Sequence, residues 1–192
     1  ARRAWFAAAS TVAGADSAGV STSSEEVKVL QVGAGVLAVA KPPGRTTEAV
    51  LAALREQLRL AGGEGHVTAV SRLDRMTSGV LVAALGADTS PATQWARAQF
   101  AARVVSKEYI CLCTGGPSGA PGETFEVNER LHMEMGKGGY LAVVSPKGKE
   151  ACTRFTVLAR YSPGNACEGL GAEEVLTLLS AKPATGRRHQ IR

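Results

Sequence analysis

The sequence predicts an α+β domain whose core is a mixed, mostly antiparallel sheet with flanking helices. Three observations favour this class. Segments with the alternation of a strand outnumber segments with the periodicity of a helix, most strands follow one another after short turns, and no internal repeat is evident. Short connections join antiparallel neighbours, whereas parallel strands need long crossovers, so we expect mainly antiparallel pairing.

A hairpin is predicted first. Residues 27–32 alternate weakly, residues 33–35 form a Gly-Ala-Gly turn, and residues 36–40 continue as a buried strand. The two prolines within residues 41–44 cannot donate to a sheet, so the hairpin ends there.

A helix follows the hairpin. Its N-cap is Thr46 or Thr47, because a threonine hydroxyl accepts a hydrogen bond from a free amide of the first helical turn. The glycines at positions 62 and 63 end the helix. Four apolar side chains fall on the helix face that we expect to meet the core: Val50, Leu51, Leu54 and Leu58.

The remaining elements are mainly strands. Residues 67–70 and 80–85 are short and apolar, and a second helix begins at Ser90, with a proline at its first position, and reaches about Ala102. Three further strands are expected over residues 108–114, 152–159 and 175–181. Residues 115–149 are rich in Gly and Pro and predict an irregular hairpin excursion.

The composition fits a packed core and a polyanionic partner. Hydrophobic residues make up 45% of the 192 residues and charged residues 20%, which favours one domain, or one catalytic core in two lobes, over a disordered chain. The net charge is +5, and a moderate basic excess is compatible with a polyanion. Four cations crowd the end of the sequence: Lys182, Arg187, Arg188 and Arg192.

Metal and membrane sites are not indicated. The four cysteines contain no CxxC pair and no histidine at zinc-finger spacing: Cys111, Cys113, Cys152 and Cys167. Cys111 and Cys113 alternate along an apparent strand, so we expect them to share one face as small core thiols in a reducing compartment. No apolar run approaches the roughly 20 residues that span a bilayer. We therefore expect no metal and no membrane. The sequence does not indicate an oligomeric state, and a monomer is the default expectation.

Residues 1–24 predict a flexible leader. They contain Arg2 and Arg3, many Ala, Ser and Thr, and a single acid, Asp16. This composition is typical of a transit peptide for a mitochondrion or plastid. A disordered leader on a cytoplasmic protein explains it equally well. The folded domain is then expected over residues 25–192.

One carboxylate stands between two arginines in a polar loop. An aspartate such as Asp74, next to Arg72 and Arg75, is usually part of a surface ion pair of little energetic weight. Here apolar residues lead into the loop and an apolar strand leaves directly after Gly79, so the loop lies at the edge of a core. A guanidinium keeps a carboxylate ionised in such a place. An ionised, positioned carboxylate serves as a nucleophile or a general base.

Two further segments hold candidate side chains. Tyr109, two residues after Lys107, opens a strand, where its ring is as readily a core aromatic as a platform for a base. Residues 185–192 form a short basic segment that is able to hold phosphates, although a basic segment alone is more often simply solvated.

These three segments, in this order, resemble RluA-type RNA pseudouridine synthases over a region from about Lys41 to Arg192. That family typically carries His-Arg-Leu-Asp, two variable positions and then Thr-Ser-Gly. Ser71 stands in place of the histidine, and Met76 stands where an acid is common. The chain keeps the rest of this motif: Arg72, Leu73, Asp74, Thr77, Ser78 and Gly79.

Three other family motifs are also similar. Lys107 and Tyr109 match Lys-x-Tyr, and residues 190–192 match Gln-Ile-Arg. Residues 41–44 match Lys-Pro-x-Gly, for which a role in supporting the core is expected rather than catalysis. Because the family continues past Gln-Ile-Arg with a further helix and strand, we expect a pseudouridine synthase domain over residues 25–192 that is incomplete at its C-terminal end.

The resemblance implies isomerisation of a specific uridine in structured RNA, rRNA or tRNA, to pseudouridine, without a cofactor or metal. Asp74 would act at the ribose, by attack on C1′ or by removal of a proton from C2′. Tyr109 would stack on the uracil and Arg192 would pair with Asp74. Seven further residues would contact the substrate RNA: Arg72, Thr77, Lys107, Arg187, Arg188, His189 and Ile191.

Two other interpretations compete with this one. A catalytically inactive RNA-binding protein of the same fold would carry the same basic segments, and the presence of Asp74 argues against it. Residues 33–38 satisfy the dinucleotide pattern G-x-G-x-x-A. That pattern requires a helix where residues 36–40 predict a strand, so we exclude a dinucleotide site.

Overall fold

The computed structural model describes residues 26–116, 119–136, 139–161 and 175–192. They belong to two compact units, one that ends at Val105 and one over Ser106–Arg192. The predicted leader at residues 1–24 and Cys167 lie outside the described residues. Within the described ranges, no helix is both long enough and apolar enough to cross a membrane.

The first unit contains a four-stranded antiparallel sheet and two helices. The strands are β1 (Val29–Gly33), β2 (Val36–Lys41), β3 (Val67–Ala69) and β4 (Gly79–Leu85), and the helices are α1 (Thr47–Leu60) and α2 (Pro91–Ala101). Across the sheet the strand order is β1-β2-β4-β3. The predicted hairpin and both predicted helices are therefore confirmed, and a strand follows Gly35 where a dinucleotide site would need a helix.

Helix α1 packs its predicted face into the core of this unit. Thr46 is the N-cap, and its hydroxyl accepts a hydrogen bond from Ala49 N at 3.1 Å. The helix buries three of the four expected side chains completely, and Leu58 packs against them half-buried. The cluster combines residues from the helix and the sheet: Leu37, Val39, Val50, Leu51, Leu54, Val67 and Leu81.

The β1–β2 turn requires a left-handed backbone. Ala34 and Gly35 have φ values of 50° and 75°, the signature of a tight two-residue hairpin turn. A Cβ on Gly35 would lie 2.9 Å from Ala92 Cβ, whereas a Cβ on Gly33 would meet nothing within 4 Å. Gly35→Ala is therefore expected to lower the free energy of unfolding by about 1–2 kcal/mol, and Gly33→Ala by less than about 0.5 kcal/mol. Urea denaturation of both variants measures this difference, and equal losses would contradict it.

The second unit is a five-stranded antiparallel sheet. Its strands are β5 (Tyr109–Thr114), β6 (Thr124–Gly136), β7 (Gly139–Val144), β8 (Lys149–Tyr161) and β9 (Leu176–Pro183). Their order across the sheet is β5-β9-β8-β6-β7. Every pairing between described strands is antiparallel, which confirms the predicted α+β class.

The hairpin predicted for residues 115–149 is confirmed, but its predicted irregularity is wrong for most of the segment. The 13-residue strand β6 pairs regularly with β7, from Leu131 opposite Val144 to Gly136 opposite Gly139. Glycine and proline concentrate at residues 115–122, before the strand begins. The later part of the segment has the alternation of apolar and polar residues that is typical of a strand. The average glycine and proline content of the whole segment conceals this alternation.

Strand β5 carries Tyr109, Cys111 and Cys113 on one face, as the alternation predicts. Their partners on β9 are Ala181, Leu179 and Thr177, which are all buried. Cys111, Cys113 and Cys152 are free thiols, and all three are half-buried. Burial raises the pKa of the Cys111 thiol above its ordinary value, and the neighbouring Cys113 adds to that rise.

Candidate active site

Asp74 lies half-buried in the loop between β3 and β4, residues 70–78, which we call the Asp74 loop. The backbone amides of Val70 and Ser71 both donate to Val82 O, at 3.0 and 3.1 Å. The Ser71 hydroxyl accepts from Val82 N at 3.0 Å, so the serine that replaces the family's usual histidine ties the loop to strand β4. The amide of Thr77 donates to the backbone oxygen of Asp74 at 3.0 Å and closes a turn that begins at Asp74.

The turn after β2 and the start of α1 hold the loop from a second side. Gly44 N donates to Arg75 O at 2.8 Å, and Arg75 Nε donates back to Gly44 O at 2.9 Å. The buried Thr47 hydroxyl lies 3.4 Å from both the carbonyl oxygen and the amide nitrogen of Leu73. The residues on both sides of Asp74 in the sequence are thus bonded to a separate segment of the chain.

Lys41 is the central element of this attachment. Its side chain is only 2% exposed, and Nζ donates to three carbonyl oxygens, those of Pro42 at 3.0 Å, Arg75 at 3.0 Å and Thr77 at 2.8 Å. An ammonium group has three donors, so all of them are used. Two of the three acceptors, the carbonyl oxygens of Arg75 and Thr77, belong to the Asp74 loop and follow Asp74 in the sequence.

The charge of Lys41 is opposed by burial and supported by Asp74. Burial lowers the pKa of the Lys41 ammonium, because a low dielectric disfavours the charged form, and the negative charge of Asp74 acts in the opposite direction. A signal for this buried lysine was present in the sequence. Leu37 and Val39 are the inward residues of β2, and the same alternation turns Lys41 inward.

The second unit holds the other candidate segments. Lys107 Nζ donates to Thr185 O at 3.4 Å, which joins the Lys-x-Tyr motif to the segment over residues 185–192. We call that segment the basic turn. Lys107 and Tyr109 are both half-buried at the start of β5.

The basic turn has several partners within its own unit. Arg187 Nε donates to Glu150 O at 2.9 Å. The guanidinium carbon of Arg188 lies 5.2 Å from the centroid of the Tyr140 ring, within the range of a cation–π contact. Arg192 N donates to His189 O at 3.1 Å, and His189 has a left-handed φ of 56°.

The structure groups the sequence-predicted residues in two sets. Arg72, Asp74 and Thr77 share one loop of the first unit. The second unit contains the others: Lys107, Tyr109, Arg187, Arg188, His189, Ile191 and Arg192. The pairing of Asp74 with Arg192 stays a prediction. Among the described residues, no group of three or more His, Cys, Asp or Glu side chains is placed to hold a metal ion.

A sequence profile described as RNA pseudouridylate synthase matches residues 19–192. The chain belongs to this family. It is 32% identical over 168 residues to the dual-specificity RNA pseudouridine synthase RluA of Escherichia coli O157:H7, in an alignment that covers 88% of this chain. It is also 32% identical over 130 residues, 64% of its length, to RNA pseudouridine synthase 7 of Oryza sativa subsp. japonica. The resemblance to RluA-type enzymes is therefore confirmed.

The chain spans only part of these relatives, 66% of the Escherichia coli protein and 28% of the rice protein. A solved structure, Human RNA Pseudouridylate Synthase Domain Containing 1, is similar with a TM-score of 0.66 and 24% identity. That match covers 90% of this chain and 65% of the human chain. The fold of this RNA pseudouridylate synthase family member is thus the fold that the sequence resemblance implied.

Proposed function

We propose that this chain carries the catalytic domain of an RNA pseudouridine synthase that isomerises a specific uridine of a structured RNA, rRNA or tRNA, to pseudouridine. Asp74 is the catalytic carboxylate. The observation that carries this proposal is the family motif around Asp74 within a loop that Lys41 holds through two hydrogen bonds. Relatives named as a ribosomal large subunit pseudouridine synthase and a tRNA pseudouridine synthase support the substrate class.

The proposed reaction moves the uracil on its own ribose. The target uridine leaves its stack, and Tyr109 stacks on the base, a contact typically worth about 1–3 kcal/mol. Asp74 then attacks C1′ to form an ester as the N1–C1′ bond breaks, or it removes the C2′ proton so that the uracil leaves and a C1′–C2′ double bond forms. The uracil turns while it is held, and C5 bonds to C1′ as the ester bond between C1′ and Asp74 breaks or as the proton returns to C2′. The proton on C5 is then released while N1 gains one. Nothing is oxidised or reduced, so the reaction needs no redox cofactor.

The other predicted residues hold the substrate and the carboxylate. Arg192 is the proposed partner of Asp74, because a guanidinium stays charged and grips a carboxylate through two hydrogen bonds. Ile191 packs under the base. The remaining residues contact the RNA: Arg72, Thr77, Lys107, Arg187, Arg188 and His189.

Transcripts labelled with tritium at uracil C5 test the proposed function. The label is lost to water only when C5 forms its new bond to C1′, so its release reports the isomerisation itself. We expect release from an rRNA or tRNA transcript and a single modified position in the product. RNA binding without release across both substrate classes would overturn the proposal and leave an RNA-binding protein of the same fold.

A further inference from the structure

The Gln190 side chain makes four hydrogen bonds. Its Oε1 accepts from the Thr185 hydroxyl and from Arg187 N, each at 2.8 Å. Its Nε2 donates to Cys152 O at 3.0 Å and to Thr153 Oγ1 at 2.9 Å. A carboxamide has two donor hydrogens and an oxygen with two lone pairs, so its whole hydrogen-bonding capacity is used.

These bonds attach the basic turn to strand β8. The Thr185 hydroxyl, which donates to Gln190, also accepts from Cys152 N at 3.1 Å, and Ala184 N donates to Cys152 O at 3.0 Å. Thr153 and Thr185 are 3% and 8% exposed. Buried polar groups that lose their partners destabilise the fold, so this small network favours one arrangement of the turn.

The turn depends on this attachment for its shape. Residues 185–192 form neither a helix nor a strand, and His189 adopts a left-handed backbone that is uncommon for residues other than glycine. Gln190 directly follows His189, and its oxygen bonds back to the amide of Arg187. The carboxamide thus spans the strained position and fixes the chain on both sides of it.

We infer that Gln190 is a positioning residue, which fixes the basic turn on strand β8 and thereby sets the place of Arg192 for its role beside the catalytic carboxylate. The inference rests on the proposed function for the role of Arg192, whereas the attachment of the turn is independent of it. Gln190 touches neither the base nor the ribose in this scheme and acts through the arginine two residues later.

Gln190→Met is the first test, because methionine has a similar length and shape but makes none of the four hydrogen bonds. We expect kcat for tritium release to fall about 10- to 100-fold, since a small misplacement of an active-site group costs up to that much. KM for the RNA should rise by a smaller factor than kcat falls, because the turn also carries proposed RNA contacts, whereas the contact of Arg192 acts mainly in the transition state. Gln94→Met, at an exposed position of α2, is the matched control and should keep both constants.

Thr185 supplies a second, conservative pair of variants. Thr185→Ser keeps the hydroxyl that accepts from Cys152 N and donates to Gln190, so activity should stay close to that of the unmodified chain. Thr185→Val keeps the shape and loses the hydroxyl, so kcat should fall as in Gln190→Met. The kcat of the double variant Thr185→Val, Gln190→Met should be close to that of the less active single variant, because the two side chains belong to one network and their effects should not add.

Amide hydrogen exchange separates the inference from the proposed function. The Arg187 amide should exchange slowly in the unmodified chain and faster in Gln190→Met, while β8 amides away from position 152 keep their protection. Unchanged exchange at Arg187 would overturn the inference whatever the activity, and so would a raised KM with an unchanged kcat. If the unmodified chain releases no tritium, the proposed function fails, and faster Arg187 exchange in Gln190→Met still supports the attachment of the turn.

Discussion

Asparagine in place of Asp74 is expected to abolish tritium release from C5-labelled RNA. The amide has nearly the size of the carboxylate, and the backbone bond between Asp74 O and Thr77 N does not involve the side chain, so the loop should keep its shape. The variant loses the group that attacks C1′ or removes the C2′ proton. We expect a fall in kcat of about 10⁴-fold or more, the upper end of what a positioned acid or base contributes.

The control is the same substitution at an exposed aspartate. Asp88 pairs with Arg97 at 3.0 Å on the surface of the first unit, and such pairs are worth about 0–1 kcal/mol. Asp88→Asn should therefore leave kcat unchanged and lower the free energy of unfolding only slightly. RNA binding by Asp74→Asn, measured by filter retention, should stay near the unmodified value. If Asp74→Asn keeps a tenth or more of the kcat of the unmodified chain, Asp74 is not the catalytic carboxylate.

Lys41→Met should give the second largest effect, on stability and activity together. Methionine fills the space of the buried stem but leaves the carbonyl groups of Pro42, Arg75 and Thr77 without their ammonium donor. Loss of these partners, offset in part by removal of a buried charge, should lower the free energy of unfolding by about 1–3 kcal/mol. Because two of these carbonyl groups belong to the Asp74 loop, kcat should also fall, on the order of 10²-fold.

The pH dependence of stability gives this variant a specific signature. Burial lowers the pKa of Lys41 in the folded chain below its ordinary value of 10.5, so between the lowered pKa and 10.5 the unfolded chain binds more protons. The contribution of Lys41 to the free energy of unfolding therefore rises with pH across that window. The stability difference between the unmodified chain and Lys41→Met should therefore widen toward alkaline pH in urea denaturation.

Lys28→Met is the matched control, because Lys28 is an exposed lysine of the same unit. It should change the free energy of unfolding by less than about 0.5 kcal/mol and leave kcat as it is. Equal stability losses in the two variants at every pH would show that the hydrogen bonds of Lys41 do not hold the Asp74 loop.

Elements with local signals were predictable from the sequence. The β1–β2 turn follows from a Gly-Ala-Gly segment between two apolar runs, and both helices begin at the expected caps, Thr46 and Ser90. The alternation of β5 places Cys111 and Cys113 on one face. Each of these features depends on residues within a few positions of one another, so the local sequence is sufficient to predict it.

Contacts between distant segments were not predictable in the same way. Lys41 was expected to support the core, but its bond to Thr77 spans 36 positions, and nothing in the sequence assigns it the Asp74 loop. Gln190 was predicted only as part of the Gln-Ile-Arg motif, with no role for its side chain. Its hydrogen bond to Cys152 spans 38 positions. For residues 115–149 a hairpin was predicted, but the glycines and prolines that precede β6 concealed the regular pairing of β6 with β7.

Periodicity and short motifs were sufficient to predict the fold class and the family, and they nominate the residues proposed for the chemistry. The side chains that hold the segments around those residues became evident only from the folded arrangement. Lys41 and Gln190 each form hydrogen bonds with residues more than thirty positions away. Such distant groups come within bonding distance only when the strands have paired in their final register. The physical reason is that register and burial, rather than local propensity, determine which polar groups must satisfy one another.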